Sequence, residues 1–180
     1  MTAEITDSNP EKREVLDDNA RKFITEPVSS SFFEDMQPNT FTLIVDWLQA
    51  DPVSEIKLAY KTFADETTEI LLISKITQDD GTRKTVKKPI DADKYRNLLT
   101  GSKLRLEKTR RELSYTQAKV TFDVKYDIFA DEKLYMLEVD AATNSDRDAF
   151  EPENFPFGLR EVTGNLNYYG YRVCDKLLTY

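Results

Sequence analysis

The chain has 180 residues, of which 39% are hydrophobic and 32% are charged, as expected for one globular domain with a hydrophobic core. It contains no histidine and a single cysteine, Cys174, so the sequence excludes Ser-His-Asp catalysis, His-ligated zinc sites and intramolecular disulfides. Its net charge of −8 argues against general binding of nucleic acids.

The N-terminal residues 1–17 are polar and acidic, and we predict that they form a flexible tail before one folded domain at 18–180. The N-terminus has no basic region followed by an apolar run, so we expect no signal peptide. No apolar stretch is long enough to span a membrane. A lone cysteine fits a reducing compartment, and we expect a cytoplasmic protein. The sequence leaves open whether the protein is a monomer or a homodimer.

The first half of the domain is predicted to be rich in strands. β-Branched and aromatic residues indicate strands at Ala20–Thr25 and Thr40–Leu48, whereas Phe32–Met36 is predicted to be a short helix or turn. Three further strand-like runs follow, and the short turns between them require antiparallel pairing. These runs are Ser54–Phe63, Thr68–Ile76 and Thr82–Lys88.

The second half is predicted to contain a helix and three more strands. Asp91–Leu99 has a helical pattern that begins with Asp91 as its N-cap. The strand patterns that follow cover Leu104–Leu113, Lys119–Phe129 and Leu134–Asp140.

The C-terminal part is predicted to contain no further strand. Asn144–Pro156 reads as a polar loop, and Leu159–Leu178 as mostly helical, with a break between Gly164 and Gly170. The whole chain then has about eight strands, and an antiparallel sheet of that size tends to close on itself. The predicted fold is therefore α+β, an eight-stranded antiparallel β-barrel or tunnel with flanking helices.

Two of the predicted strands carry charge on one face. Side chains alternate along a strand, so Lys108 and Arg110 point to the same side, and so do Glu138 and Asp140. Cations recognise phosphate groups, and carboxylates bind hard divalent metals. Residues 82–111 also contain 11 Lys and Arg against 3 Asp and Glu, a local charge of +8. This pattern is typical of a cavity with a cationic wall and a metal-binding wall, or else of a solvated basic patch on an acidic protein.

Several short motifs occur in a recognisable order. They are Lys57, Ile73-Ser-Lys75, Gly81-Thr-Arg83, Lys108-Thr-Arg110, Phe122-Asp-Val124, Leu137-Glu-Val-Asp140 and Arg160-Glu-Val-Thr-Gly164. In this order they resemble the CYTH superfamily, also called triphosphate tunnel metalloenzymes. The resemblance spans roughly 18–171, nearly the whole chain. It implies an eight-stranded antiparallel β-tunnel and a relationship to class IV adenylyl cyclases, thiamine triphosphatases and inorganic triphosphatases.

The resemblance also implies roles for individual residues. In this family, cations clamp the triphosphate oxygens, and acids on the opposite wall hold a divalent metal, here Mg²⁺ or Mn²⁺. The implied substrate-binding residues are Lys22, Lys57, Lys75, Arg83, Lys108 and Arg110. The implied metal ligands are Asp18, Asp123, Glu138 and Asp140, of which Glu138 and Asp140 are also the implied catalytic pair.

The sequence departs from the family pattern at positions that usually carry charge. On the first strand Asp18 shortens one of two alternating acids, and Ala20 replaces the other. Glu55 stands where an arginine is usual, and Thr85 and Lys87 stand where glutamates are common. Because phosphoryl transfer depends on positioning and charge neutralisation, we expect lost metal ligands to reduce turnover more than phosphate affinity.

The sequence therefore predicts a divalent-metal-dependent triphosphatase that acts on an inorganic or organic triphosphate. Neither a nucleic acid nor a membrane is expected as a partner. One alternative is a degenerate relative that binds polyphosphate or a nucleotide without turnover. A further alternative is a class IV-type adenylyl cyclase, although no motif identifies a base-binding pocket. Metal-dependent turnover distinguishes the enzymes from the binding protein.

Overall fold

The computed structural model describes residues 14–17, 20–80, 82–129 and 133–177, with side chains described from 20 to 174 within these ranges. In this part of the chain, ten strands form one antiparallel sheet, which four helices flank. The strands are β1 (Glu14–Asp17), β2 (Arg21–Thr25), β3 (Asn39–Ala50), β4 (Ser54–Phe63), β5 (Thr68–Thr77), β6 (Arg83–Pro89), β7 (Leu104–Gln117), β8 (Val120–Phe129), β9 (Leu134–Ala141) and β10 (Arg160–Glu161). The helices are α1 (Ser30–Glu34), α2 (Ala92–Leu99), α3 (Asn144–Asp148) and α4 (Gly170–Leu177).

The sheet curls so that its two sides come near each other. Its strand order is β1-β6-β5-β4-β3-β7-β8-β9-β2-β10, which places β1 and β2 at opposite sides. Yet β1 ends at Asp17 and β2 begins at Arg21, and an extended chain spans at most about 14 Å over four residues. A strongly curved sheet follows from this short connection.

The predicted closed barrel of eight strands is not confirmed. The α+β class and the antiparallel sheet are as predicted, but no ladder among the described residues joins the two sides of the sheet. Closure would require β6 to pair with β2. Instead, β1 pairs with β6 and the short β10 pairs with β2, so both edges that a barrel would join already have a partner. β1 also lies within the segment 1–17 that was predicted to be a tail, so four residues of that segment belong to the sheet.

Most predicted elements agree with the structure. β4 has the predicted bounds Ser54–Phe63, and α2 has the predicted N-cap, since the Asp91 carboxylate accepts a hydrogen bond of 2.7 Å from the Lys94 backbone N–H. β7 is four residues longer than predicted at its C-terminal end. The helices in the described part of the chain are all too short, or too polar, to cross a lipid bilayer.

The C-terminal segment differs from the mostly helical prediction for Leu159–Leu178. It begins with β10 at Arg160–Glu161, a 3₁₀ turn follows at Leu166–Tyr168, and an α-helix starts only at Gly170. Polar contacts hold the first part on the sheet edge: Arg21 donates hydrogen bonds of 3.0 and 2.9 Å to the Glu161 carboxylate. These contacts with β2 favour an extended conformation over a helix for Arg160–Glu161. The periodicity of the sequence does not predict them, because they join residues that are far apart in the chain.

The segment predicted to be a polar loop, Asn144–Pro156, covers the outer face of the sheet. It contains α3 and a single 3₁₀ turn at Pro152–Asn154. Phe150 and Phe155 from this segment are buried against a cluster on the outer face of β2, β7, β8 and β9. The loop therefore contributes to the hydrophobic core.

The inner, concave face of the sheet carries the second apolar cluster. Trp47, Leu106 and Met136 belong to it, and Tyr171 and Cys174 of α4 pack on the same cluster. Along β9, the concave face changes from the buried Met136 to the half-buried Glu138 and Asp140. The concave side is therefore apolar at one end, where α4 packs, and charged at the other.

Candidate anion-binding cavity

A cavity of about 200 Å³ lies on the concave face, and strands β2 to β9 all contribute side chains to its wall. Nine described Lys and Arg side chains line it, against four carboxylates, which leaves an excess of five positive charges in a chain of net charge −8. The cations are Lys22, Lys57, Lys61, Lys75, Arg83, Lys87, Lys108, Arg110 and Lys125. The carboxylates are Glu55, Glu112, Glu138 and Asp140.

The structure brings all six predicted phosphate-binding cations into this one cavity. They come from five strands: Lys22 from β2, Lys57 from β4, Lys75 from β5, Arg83 from β6, and Lys108 with Arg110 from β7. The alternation of side chains explains the convergence, because these positions all fall on the concave face of a sheet that curls around them. Their part in binding a ligand stays a prediction.

Asp127 pairs with two of these cations and is itself buried. Its carboxylate accepts a 2.6 Å hydrogen bond from Lys108 and two 2.6 Å hydrogen bonds from Arg110. Burial and the charge of Arg110 lower the pKa of Lys108, although Asp127 opposes this shift. Burial acts to lower the pKa of Arg110 as well, but Asp127 outweighs it and raises that pKa.

Sequence reasoning missed Asp127. Alternation along β8 places Asp123, Lys125 and Asp127 on one face, as the register shows. The Phe122-Asp-Val124 motif indicates Asp123, whereas the register places Asp127 opposite Arg110 on the neighbouring strand. Predicting the role of Asp127 requires the register between β7 and β8, which a single sequence does not show.

Glu55 forms a second buried ion cluster in the cavity. Its carboxylate accepts hydrogen bonds from Arg83 at 2.5 Å, from Lys57 at 3.1 Å and from the Trp47 indole N–H at 3.3 Å. Burial raises the pKa of Glu55, but the charges of Lys57, Lys75 and Arg83 outweigh this effect and lower it to about 2. Glu55 therefore stays ionised at neutral pH and neutralises part of the cationic wall.

The predicted catalytic pair, Glu138 and Asp140, lines the cavity from β9. Glu138 lies 3.5 Å from the Arg110 guanidinium and 3.9 Å from the Lys22 ammonium. Burial acts to raise the pKa of Glu138, but Arg110, Lys22 and other cations hold it well below its ordinary value. The Asp140 carboxylate accepts a 2.9 Å hydrogen bond from the Ala141 backbone N–H.

The described carboxylates do not fit a metal centre. Asp123 lies opposite Asp140 on the neighbouring strand, but it is exposed and outside the cavity lining. Asp18, the fourth predicted ligand, lies outside the described residues. Among the residues that are described, no group of three or more Asp, Glu, Cys or His side chains is arranged to hold a metal. Glu138 faces cations at both of its carboxylate oxygens, and cations repel a divalent metal.

The positions where the sequence departs from the family pattern all face the cavity. Ala20, Glu55, Thr85 and Lys87 belong to its wall. A carboxylate at any of positions 20, 85 and 87 would face the cavity. The acids that the family pattern has at these positions are therefore absent from the cavity wall. The departures therefore change the charge of the site and not of a remote surface.

Tyr169 and Gly170 close the cavity where the chain enters α4. The Tyr169 ring lies 5.0 Å from the Lys22 ammonium and 5.1 Å from the Arg83 guanidinium, which are cation–π distances. Gly170 packs so closely on Trp47 that an added Cβ would lie 2.8 Å from its indole ring. A second, more open pocket of about 540 Å³ adjoins this place and shares Lys22, Arg83 and Tyr169 with the cavity.

Comparison with known proteins gives a likeness of structure. No protein-family model and no curated protein matches the chain. Among solved structures, that of the inorganic triphosphatase NE1496 matches with a TM-score of 0.55 and 22% identity, over 88% of this chain and 94% of that one. A second structure of the same protein, described as the hypothetical protein NE1496, matches with a TM-score of 0.55 and 21% identity, over 88% and 97%. The chain therefore shares the fold of NE1496, as the resemblance of its motifs implied, and the likeness is one of fold alone.

Proposed function

We propose that this protein binds a compact triphosphate-like anion in its cavity. The observation that carries the proposal is the convergence of Lys and Arg side chains from six strands on one small cavity, whose lining has five more cations than carboxylates before Asp127, the partner of Lys108 and Arg110, is counted. Charge-assisted hydrogen bonds from such groups are the usual way in which proteins bind phosphate oxygens. The acidic remainder of the chain disfavours nucleic acid as the source of the phosphates.

The size of the cavity favours a small ligand. Pockets that take drug-sized molecules have volumes of roughly 300–1,000 Å³, and this cavity has about 200 Å³. Inorganic triphosphate or the triphosphate part of a larger molecule suits it better than a whole nucleotide. An organic group attached to the triphosphate would extend past Tyr169 into the adjoining pocket.

Metal-dependent hydrolysis of a triphosphate is the second candidate function. The similarity in fold to an inorganic triphosphatase favours it, as does the position of Glu138 and Asp140 side by side on the cavity wall. We place it second because the described carboxylates do not assemble a metal centre. Among the described residues, no feature favours the cyclase alternative.

Binding is tested by titration calorimetry with inorganic triphosphate. Lys22→Met removes one cavity cation, and Lys94→Met removes an exposed cation on α2 as a matched control. Because a hydrogen bond to a charged group contributes about 1.5–3 kcal/mol, we expect Lys22→Met to weaken binding about 10- to 100-fold. Equal affinities for the two variants, or no binding to the wild type, would contradict the proposal.

Turnover is tested separately by phosphate release from inorganic triphosphate, ATP and thiamine triphosphate, each with Mg²⁺, Mn²⁺ or a chelator. The comparison protein is a double variant, Glu138→Ala with Asp140→Ala. Metal-dependent release that the double variant loses would establish the hydrolase. Binding without release would establish the binding protein.

A further inference from the structure

A row of alternating charges crosses the cavity wall on four adjacent strands. Glu112 of β7, Lys125 of β8, Glu138 of β9 and Lys22 of β2 are direct partners across the antiparallel pairs. All four side chains line the cavity. Direct partners on one face of such a sheet have Cβ atoms about 4.5–5.5 Å apart, so each carboxylate in the row has a cation as its neighbour.

Lys125 occupies the middle of the acidic part of this row. In the register it separates Glu112 from Glu138, and it lies two residues along β8 from Asp123, which faces Asp140. A hard divalent cation such as Mg²⁺ takes about six oxygen ligands, usually one or two carboxylates together with waters and phosphate oxygens. Because Lys125 lies between Glu112 and Glu138 in the register, a metal ion shared by these two carboxylates would lie next to the Lys125 side chain.

Strand β6 also presents a cation to the cavity where the family pattern has carboxylates. On β6, Thr85 and Lys87 face the cavity, so this strand offers it a hydroxyl and an ammonium group in place of carboxylates. The carboxylates of β7 and β9 thus have tethered cations both beside them and across the cavity. Each tethered cation repels a divalent ion and attracts a phosphate oxygen.

From this arrangement we infer that the Lys125 ammonium takes the place of a divalent metal, so that the cavity binds triphosphate without one. The inference rests on the proposed function and deepens it, because it states how the anion is neutralised. Mg²⁺ is then not a cofactor of binding. It is a competitor, since it complexes triphosphate in solution and lowers the charge that the cavity attracts.

The first experiment measures the affinity for inorganic triphosphate by calorimetry, once in excess chelator and once in millimolar Mg²⁺. We expect binding in chelator, and an apparent affinity in Mg²⁺ that is equal or lower. Binding that requires Mg²⁺, or that Mg²⁺ strengthens tenfold, would overturn the inference while leaving the proposed function intact. Absence of binding under both conditions would overturn the proposed function and, with it, the inference.

The second experiment measures bound Mn²⁺ by electron paramagnetic resonance, without triphosphate. Lys125→Met removes the cation that lies between Glu112 and Glu138 in the register but leaves Arg110 and Lys22 beside Glu138, so we expect a higher affinity for Mn²⁺ than in the wild type and not a complete metal centre. Lys125→Arg keeps the positive charge and is expected to behave like the wild type. Lys61→Met is the control, because Lys61 also lines the cavity but pairs with Glu69 at 2.6 Å.

Two results of the Mn²⁺ experiment would overturn the inference. One is stoichiometric Mn²⁺ binding by the wild type, and the other is the absence of any gain in a folded Lys125→Met protein, with folding verified by circular dichroism. A gain that Lys61→Met shows to the same extent would also contradict it, since the effect would then come from the net charge of the cavity and not from the position of Lys125.

Discussion

Replacement of Asp127 by asparagine removes one buried negative charge and keeps the shape of the side chain. In the wild type, this carboxylate accepts three hydrogen bonds, one from Lys108 and two from Arg110. In the variant, the two cations lie close together with a neutral amide between them. We expect the folded state to be strongly destabilised in the absence of ligand.

The magnitude follows from the burial of the three groups. The side chains of Asp127, Lys108 and Arg110 are 2%, 10% and 13% exposed, so solvent screens the cluster very little. Removal of one partner from a buried ion pair costs about 3–5 kcal/mol. In a domain of this size, each kcal/mol lowers Tm by about 2–4 °C, so the expected decrease in Tm is about 6–20 °C.

The assay is urea unfolding at pH 7, followed by circular dichroism, with Asp123→Asn as the matched control. Asp123 lies on the same face of the same strand but is exposed, so its replacement is expected to change the free energy of unfolding by less than about 0.5 kcal/mol. Inorganic triphosphate should restore part of the stability of Asp127→Asn, because the anion brings negative charge to the two cations. A loss of stability no larger than that of Asp123→Asn would refute the structural role of Asp127.

Three further predictions concern the other cavity groups. Glu55→Gln is expected to raise the affinity for inorganic triphosphate about tenfold, or by about 1.4 kcal/mol, as measured by calorimetry. The reason is that the Glu55 carboxylate of the wild type competes with the anion for Arg83. An unchanged affinity would contradict this prediction. Since the fold lowers the pKa of Glu55 from 4.5 to about 2, its contribution to stability is present above pH 4.5 and is lost as the pH falls towards 2; acid unfolding of Glu55→Gln should lack this component. Gly170→Ala is expected to destabilise the protein by about 1–3 kcal/mol in urea unfolding, because its Cβ would lie 2.8 Å from Trp47, whereas Gly158→Ala, with no neighbour within 4 Å, should have little effect.

The strands and their faces were largely predictable, because alternation is a local property. The bounds of β4 and the N-cap at Asp91 follow from residues close together in sequence. The common orientation of Lys108 with Arg110, and of Glu138 with Asp140, needs only the period of two along a strand. These are the predictions that the structure reproduces in detail.

Partners across the sheet were not predictable from such local patterns. Asp127 meets Arg110, and Glu55 meets Arg83, because of pairings and curvature that join residues 17 and 28 positions apart. The same holds for β10, which joins β2 from the far end of the chain. A single sequence shows which residues are charged and which face they occupy, but the charge that neutralises each one depends on the register between strands.

The cavity shows how stability and binding are linked in this protein. Asp127 and Glu55 form ion pairs with four of the predicted phosphate-binding cations. These two carboxylates stabilise the folded state without a ligand, and a bound anion has to displace them or share the cations with them. Asp127→Asn and Glu55→Gln should therefore lower stability and raise affinity for triphosphate, as is common where a site is strained for its function. If both variants lost stability and affinity together, the two carboxylates would be positioning the cations for the ligand and not competing with it. The sign of the change in affinity thus distinguishes an internal competitor from a positioning residue, and stability alone cannot do so.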